Sequence, residues 1–309
     1  MKDQAVTELA ATCVLPARAM LGESPVWSAA EGRLYWIDID GRAVHRFDPA
    51  TGLDEHRAMP GRPGSIALTG SPGRLLVAME HRLTFLDWPS GTIEDWLELE
   101  PEGLGTRLND GRCDPSGRFW VGSMTDKGAR NPGRGSLYRI DPDGTVEAFK
   151  TDIGVSNALA FSPDAMTMYY ADTHQDVVWA YDYDAASGTP SRERVFLDFA
   201  DLPGRPDGSC VDADGCYWIA CVYGSAVLRF TPDGTVDRQV SLTAPKPTMP
   251  AFGGASMTTL FVTTIGGGGS HDVDPAYPEA GGIFALETDI QGVPETPFGG
   301  GPQPGSGRP

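Results

Sequence analysis

The chain has 309 residues, with 39 glycines, 26 prolines, and 42 acidic against 24 basic side chains, for a net charge of −18. It is turn-rich yet 40% apolar, the composition of a folded protein with a sizeable core rather than a disordered one. Its acidity disfavours nucleic acid and anionic membranes as partners, and no apolar run approaches the ~18 residues of a membrane span.

The opening Met1-Lys2-Asp3-Gln4 lacks the apolar core of a secretion signal, so a cytoplasmic location is expected. Cys13, Cys113, Cys210, Cys216 and Cys221 are odd in number and lack C-x-x-C spacing. They read as small buried apolar side chains rather than a disulfide framework or zinc cluster.

In chain order, an isolated strand-like segment, Ala11-Thr12-Cys13-Val14-Leu15, precedes a repeating pattern. An apolar strand recurs after a tight turn: Leu34-Tyr35-Trp36-Ile37, Leu75-Leu76-Val77-Ala78, Phe119-Trp120-Val121-Gly122, Met168-Tyr169-Tyr170, Tyr217-Trp218-Ile219-Ala220 and Leu260-Phe261-Val262. Each is followed by a second strand, as in Val44-His45-Arg46-Phe47, Leu137-Tyr138-Arg139-Ile140 and Val227-Leu228-Arg229-Phe230. A more polar strand comes next in most units, and a short strand precedes each. Four strands per repeat of roughly 45 residues, six times over, predict an all-β, six-bladed β-propeller of antiparallel blades. The sixth unit lacks its last strand, so the N-terminal segment is expected to complete it and remove an exposed edge. The propeller is assigned to residues 1–298 and a flexible tail to 299–309.

The residues leading into the six inner strands are expected to converge on the central axis. They read Glu23, Ser65, Asn109, Asn157, Asp207 and Phe252. Two carboxylates facing one another repel unless protonated or bridged by a cation, and Asn157 adds a neutral oxygen. This is a donor set for one hard divalent metal with open positions for water and substrate; calcium, magnesium, manganese, iron(II) and zinc all suit it. The alternative is that these residues cap their own turns.

The loops joining second and third strands should form the rim of the same face: residues 38–41, 80–81, 124–135, 173–175, 223–225 and 266–271. Lys127 and Arg130 lie in the longest of these, and Arg107 shares a strand face with Asn109. The G-x-S-x-G, H-E-x-x-H and phosphate-loop motifs are absent from the sequence.

Gly22-Glu23-Ser24-Pro25-Val26-Trp27, Arg107-Leu108-Asn109-Asp110-Gly111, Ser156-Asn157-Ala158-Leu159-Ala160 and Pro206-Asp207-Gly208 resemble, in order, the signature segments of the gluconolactonase/regucalcin (senescence marker protein) family. The resemblance implies one divalent metal on Glu23, Asn157 and Asp207, with substrate contacts from Arg107, Asn109 and Lys127. At the last position, animal members often carry an acid. It further implies hydrolysis of a pentono- or hexono-lactone, with Asp207 as general base or, equally, a hydroxide formed on the cation. Two other functions stand beside this: an organophosphate or aryl-ester hydrolase on the same fold, and a non-enzymatic calcium-binding regulatory protein.

Overall fold

The computed structural model describes residues 6–126, 133–267 and 274–301. Among these residues the chain forms six β-sheets in sequence, as the repeats predict. Blade one comprises Gly22–Ser28, Arg33–Asp38, Ala43–Asp48 and Leu53–Ala58. Blades two to five repeat the same meander, starting from inner strands Ser65–Leu68, Thr106–Cys113, Ser156–Phe161 and Arg205–Val211. Blade six is Pro247–Gly253, Thr259–Thr264 and Ile283–Glu287, completed by Thr12–Leu15 running antiparallel to Ile283–Glu287.

The N-terminus closes a second seam that the repeats do not announce. Thr7–Ala10 pairs in parallel with Val236–Ser241 and gives blade five a fifth strand. One short segment thus ties down the outer edges of two blades, leaving fewer unpaired backbone groups for intermolecular pairing.

The recurring aromatic strand is second in each blade, and it is buried on both faces because each blade lies between two others. In blade one, Tyr35 and Ile37 pack towards blade two with Leu75, Val77 and Trp88, while Leu34 and Trp36 pack towards blade six with Phe261 and Phe284. In blade four, Tyr169 and Ala171 face Tyr217 and Ile219, whereas Met168 and Tyr170 meet Trp120 and Leu137. This alternation is why the segments read as continuous apolar runs rather than as half-polar strands.

Polar strands form the outer edge of most blades, Leu53–Ala58 and Thr92–Glu98 being typical. On the lower face the chain after blade six crosses the axis. Gly292 N donates to Met257 O, Glu295 pairs with Arg112, Phe298 N donates to Leu68 O, and Gly299 N donates to Gly117 O. Glycine is required in this strap: a Cβ on Gly300 would lie 1.9 Å from Pro142 O. Residues 302–309 lie outside the described residues.

Phe252 is the one misplaced member of the inner-strand set. It lies near the far end of Pro247–Gly253, packed edge-on against Trp218 and close to Gly292 of the strap. Blade six turns Pro247 and Thr248 to the upper mouth instead. Spacing from Asp207 overshoots because this strand carries no acid or amide to mark its start.

Candidate active site at the upper mouth

All six inner strands begin on one face, where each pairs with the end of its blade's second strand: Gly22 with Asp38, Ser156 with Asp172, Arg205 with Val222. Five of them contain an irregularity near that end, between Glu23 and Val26, Leu108 and Gly111, Asn157 and Ala160, Pro206 and Ser209, and Pro247 and Met249. A bulge frees residues from the ladder and re-aims them. Here the freed or flanking residues are Glu23, Asn109, Asp110, Asn157 and Asp207. Ser24 and Ala158 take left-handed φ of 47° and 60°, strained for residues with a Cβ. Each neighbouring strand is tied to this irregular backbone: Ser24 Oγ accepts from Ile66 N, and Asp110 Oδ2 accepts from Leu159 N, both at 3.0 Å.

A chain of hydrogen bonds joins three blades. Arg107 Nη1 donates to Asn109 Oδ1 (2.8 Å), and Asn109 Nδ2 to Asn157 Oδ1 (3.0 Å) and Ser156 O (2.9 Å). Asn157 Nδ2 donates to Thr173 Oγ1 (2.8 Å), which in turn donates to Pro206 O (2.8 Å), beside Asp207. Asn109 Nδ2 has an acceptor for each hydrogen, which fixes the orientation of that amide and makes the Asn157 atom facing it the oxygen. Asn157 Oδ1 keeps a second lone pair.

Two further aspartates hold the loops that lead into the site. Asp38 accepts from Met20 N (2.9 Å), Leu21 N (3.0 Å) and Gly41 N (3.0 Å), just ahead of Glu23. Asp172 accepts from Gly154 N (2.9 Å), Val155 N (2.9 Å) and His174 N (3.0 Å), just ahead of Asn157. Burial works to raise the Asp172 pKa, but the amides of Gly154 and Val155 outweigh it and hold the carboxyl below its usual value.

Glu23, Asp110 and Asp207 behave in the opposite way. Burial and then the charge of Asp110 push Glu23 up to about 8, although Glu23 keeps a partial opening to solvent. Burial, then Glu23, then Asp110 push Asp207 well above its usual value, and burial raises Asp110. Arg107 is buried here too, its pKa lowered by desolvation and by the nearby Arg62. Arg62 is held by Glu80 (2.8 Å) and Asp126 (2.7 Å).

The donor set fits a hard divalent cation. The hydrogen bonds to Glu23 and Asp207 come from the adjacent amides of Ser24 and Gly208, so two mutually repelling carboxylates lack a full counter-charge. Among the described residues no three His, Cys, Asp or Glu are grouped to hold an ion. An ion here would draw on two carboxylates and an amide oxygen, a set suited to oxygen-seeking metals rather than to a closed zinc cage.

The structure therefore brings Glu23, Arg107, Asn109, Asn157 and Asp207 to one mouth, while Lys127, Arg130 and His271 lie outside the described residues. Arg62 and Asp172, and the bonding roles of Asp38, Asp110 and Thr173, were not read from the sequence. Asp110 had a signal, since it directly follows Asn109. In a regular strand that adjacency would have sent it to the opposite face, and the bulge removes the objection.

A family model described as the SMP-30/gluconolactonase/LRE-like region matches residues 21–266. The chain belongs to this family. It is 38% identical to a 6-deoxy-6-sulfogluconolactonase of Pseudomonas putida over 290 residues, covering 93% of this chain and 98% of that protein. It is also 38% identical to an L-arabinolactonase of Azospirillum brasilense over 296 residues, covering 95% and 97%. Among solved structures, a calcium-binding protein, regucalcin, from Agrobacterium tumefaciens superposes with a TM-score of 0.86 at 31% identity, covering 95% of this chain and 99% of that one. No helix among the described residues is long and apolar enough to cross a membrane.

Proposed function

We propose that this chain is a hydrolase that opens the ring ester of a sugar aldonolactone, using one divalent cation held by Glu23, Asn157 and Asp207. The observation that carries the reading is the pair of carboxylates, half-buried Glu23 and buried Asp207, facing one another at the mouth beside a pre-oriented amide and a buried guanidinium. Relatives named for sulfogluconolactone and arabinolactone hydrolysis, matched over nearly the whole chain, support the substrate class.

When bound, the cation would polarise the lactone carbonyl and acidify water. The chain's own residues do the rest. Arg107 spends Nη1 on Asn109 and Leu108 O, which fixes its plane and leaves its other N–H groups for a substrate oxygen. Asn109 donates to Asn157 and so couples substrate orientation to the donor set. Asp207, beside the proposed cation, would accept the proton of the attacking water. Lys127 is assigned a substrate contact from the family pattern.

Proton release from a panel of neutral and acidic aldonolactones, in weak buffer, tests this. Chelated protein should be inactive, and one added divalent metal should restore turnover that Glu23→Gln and Asp207→Asn abolish. Metal-independent turnover, or metal binding with no turnover on any lactone, would overturn the proposal. The second of those results would favour a calcium-binding role, the reading that likeness to the Agrobacterium regucalcin supports.

A further inference from the structure

We propose that Tyr223 and Lys246 form a subsite for an anionic group at the far end of the substrate, so that this chain prefers a lactone carrying a terminal carboxylate or similar anion. The inference rests on the lactonase reading above. Both residues lie on the upper face, between the blade that carries Asp207 and the blade next to Glu23. Tyr223 follows the second strand of blade five, Tyr217–Val222, and Lys246 directly precedes the inner strand of blade six, with Lys246 O accepting from Ile265 N at 2.9 Å.

The turn that carries Tyr223 is built against local preference. Tyr223 and Ser225 both take left-handed φ, 69° and 55°, on either side of Gly224. That conformation is costly for a bulky aromatic. Gly224 itself cannot be replaced, because a Cβ there would lie 2.7 Å from Pro203 O. The turn is pinned from both sides, with Gly224 N donating to Cys221 O and Ser225 N to Pro245 O. The result is a tyrosine 65% exposed at the mouth of a protein that buries most of its aromatics. An aromatic ring in this position offers an apolar plate to the C–H face of a sugar.

Lys246 supplies the charge. It is half-buried, its Nζ lies 5.5 Å from the Tyr223 ring centroid, and no carboxylate among the described residues pairs with it. Two other cations on this face are ion-paired, Arg62 to Glu80 and Asp126, and Arg205 to Asp176 at 2.7 Å. In a chain with 42 acids and 24 bases, an ammonium without a carboxylate on this face favours an anionic ligand over a neutral one.

The test uses the full chain and two variants, Lys246→Met, which keeps the apolar stem, and Tyr223→Ala. The substrates are the monolactone of glucaric acid, which bears a terminal carboxylate, and gluconolactone, which does not. Calorimetric binding of the open acids, glucarate and gluconate, gives a readout independent of turnover. Lys246→Met should raise KM for the acidic lactone about two- to fivefold and leave gluconolactone unchanged. Added salt should likewise raise the wild-type KM for the acidic lactone, and glucarate binding should weaken in parallel. Tyr223→Ala should weaken both ligands. Turnover of both lactones with no selective effect of Lys246→Met overturns the subsite and leaves the lactonase reading standing. If no lactone turns over but glucarate binds in a Lys246-dependent way, the lactonase reading fails and the subsite holds.

Discussion

Asp172 offers the sharpest separation of stability from function. Its carboxylate, 1% exposed, accepts four hydrogen bonds, from the amides of Gly154, Val155 and His174 and from Gln175 Nε2 at 3.2 Å. Asp172→Ala leaves three loop amides without that partner, at about 1 kcal/mol each, or about 3 kcal/mol in all. For a domain of this size such a loss lowers Tm by roughly 5 °C. Asp172→Asn keeps one acceptor oxygen and should lose about half as much. The loop released by either change leads directly into Ser156–Phe161, so Asn157 loses its fixed position and kcat/KM should fall by about 10- to 100-fold.

Asp212 is the control. It is equally buried and accepts from Asp214 N, Cys216 N, Trp218 Nε1 and Arg229 Nε, but on the lower face. Asp212→Asn should cost comparable stability and leave kcat/KM per folded molecule intact. Lactone turnover and thermal melts on the three proteins decide the matter. Should the Asp172 variants lose no more activity than the Asp212 variant, the positioning argument is wrong. The sign of the pH effect is fixed as well. Because the Asp172 carboxyl is depressed when folded, its contribution is present above the unfolded value of 3.8 and is lost as pH falls through the lower folded value. Asp172→Asn should flatten that acid limb.

Glu23 has the opposite sign. With its folded pKa raised from 4.5 to about 8, its contribution in chelated protein is full below 4.5 and is lost as pH rises towards 8, so the Tm of that protein should decline across this window. Glu23→Gln should remove part of the slope, and added calcium should raise the wild-type Tm at pH 8 more than the variant's; an equal rise in both would count against Glu23 as a ligand. Asp110→Asn retains an oxygen to accept from Leu159 N, whereas Asp110→Ala does not, so calorimetry should find calcium binding largely kept in the first and weakened severalfold in the second. Equal loss in both would assign Asp110 a charge role instead. Glu295→Ala strips Arg112 of its ion pair at 2.8 Å under the strap and should cost about 1–3 kcal/mol in denaturant melts without changing kcat, since the pair lies on the lower face.

The blade count was legible in the sequence because each second strand is sandwiched between neighbouring blades and must be apolar on both faces, which makes it conspicuous. The closing of blade six by residues 12–15 followed from a missing strand. Blade five's parallel fifth strand did not, because Thr7-Glu8-Leu9-Ala10 is short and half polar and fits an edge as easily as a loop. At the mouth, repeat spacing located Glu23, Asn157 and Asp207, whose chemistry stands out against apolar strands. It failed for Phe252, where the strand opens on proline and threonine. The anchoring roles of Asp38 and Asp172 escaped notice for a different reason. They end apolar strands in the position of an ordinary turn aspartate, and only the fold shows that the amides they accept from belong to the loop leading into the neighbouring strand.

The innermost strand of a propeller blade has one edge with no further strand to pair with, and this decides where the site can be. A bulge in a central strand breaks two ladders, but a bulge on the innermost strand breaks one and turns the freed residues towards the axis. The strain at Ser24 and Ala158, about 1–3 kcal/mol each in left-handed conformation, is therefore borne where it disrupts least. It is also borne where the ring can hold it, since Ser24 Oγ and Asp110 Oδ2 bond each irregular stretch to a neighbouring strand. Closure of six blades then sets Glu23 in blade one against Asn157 and Asp207 in blades four and five across the axis. The carboxylates cannot move apart to relieve their repulsion without opening packed interfaces between blades. Their raised proton affinities follow from that confinement, and so does the expectation that a divalent cation, rather than a rearrangement, is what satisfies them.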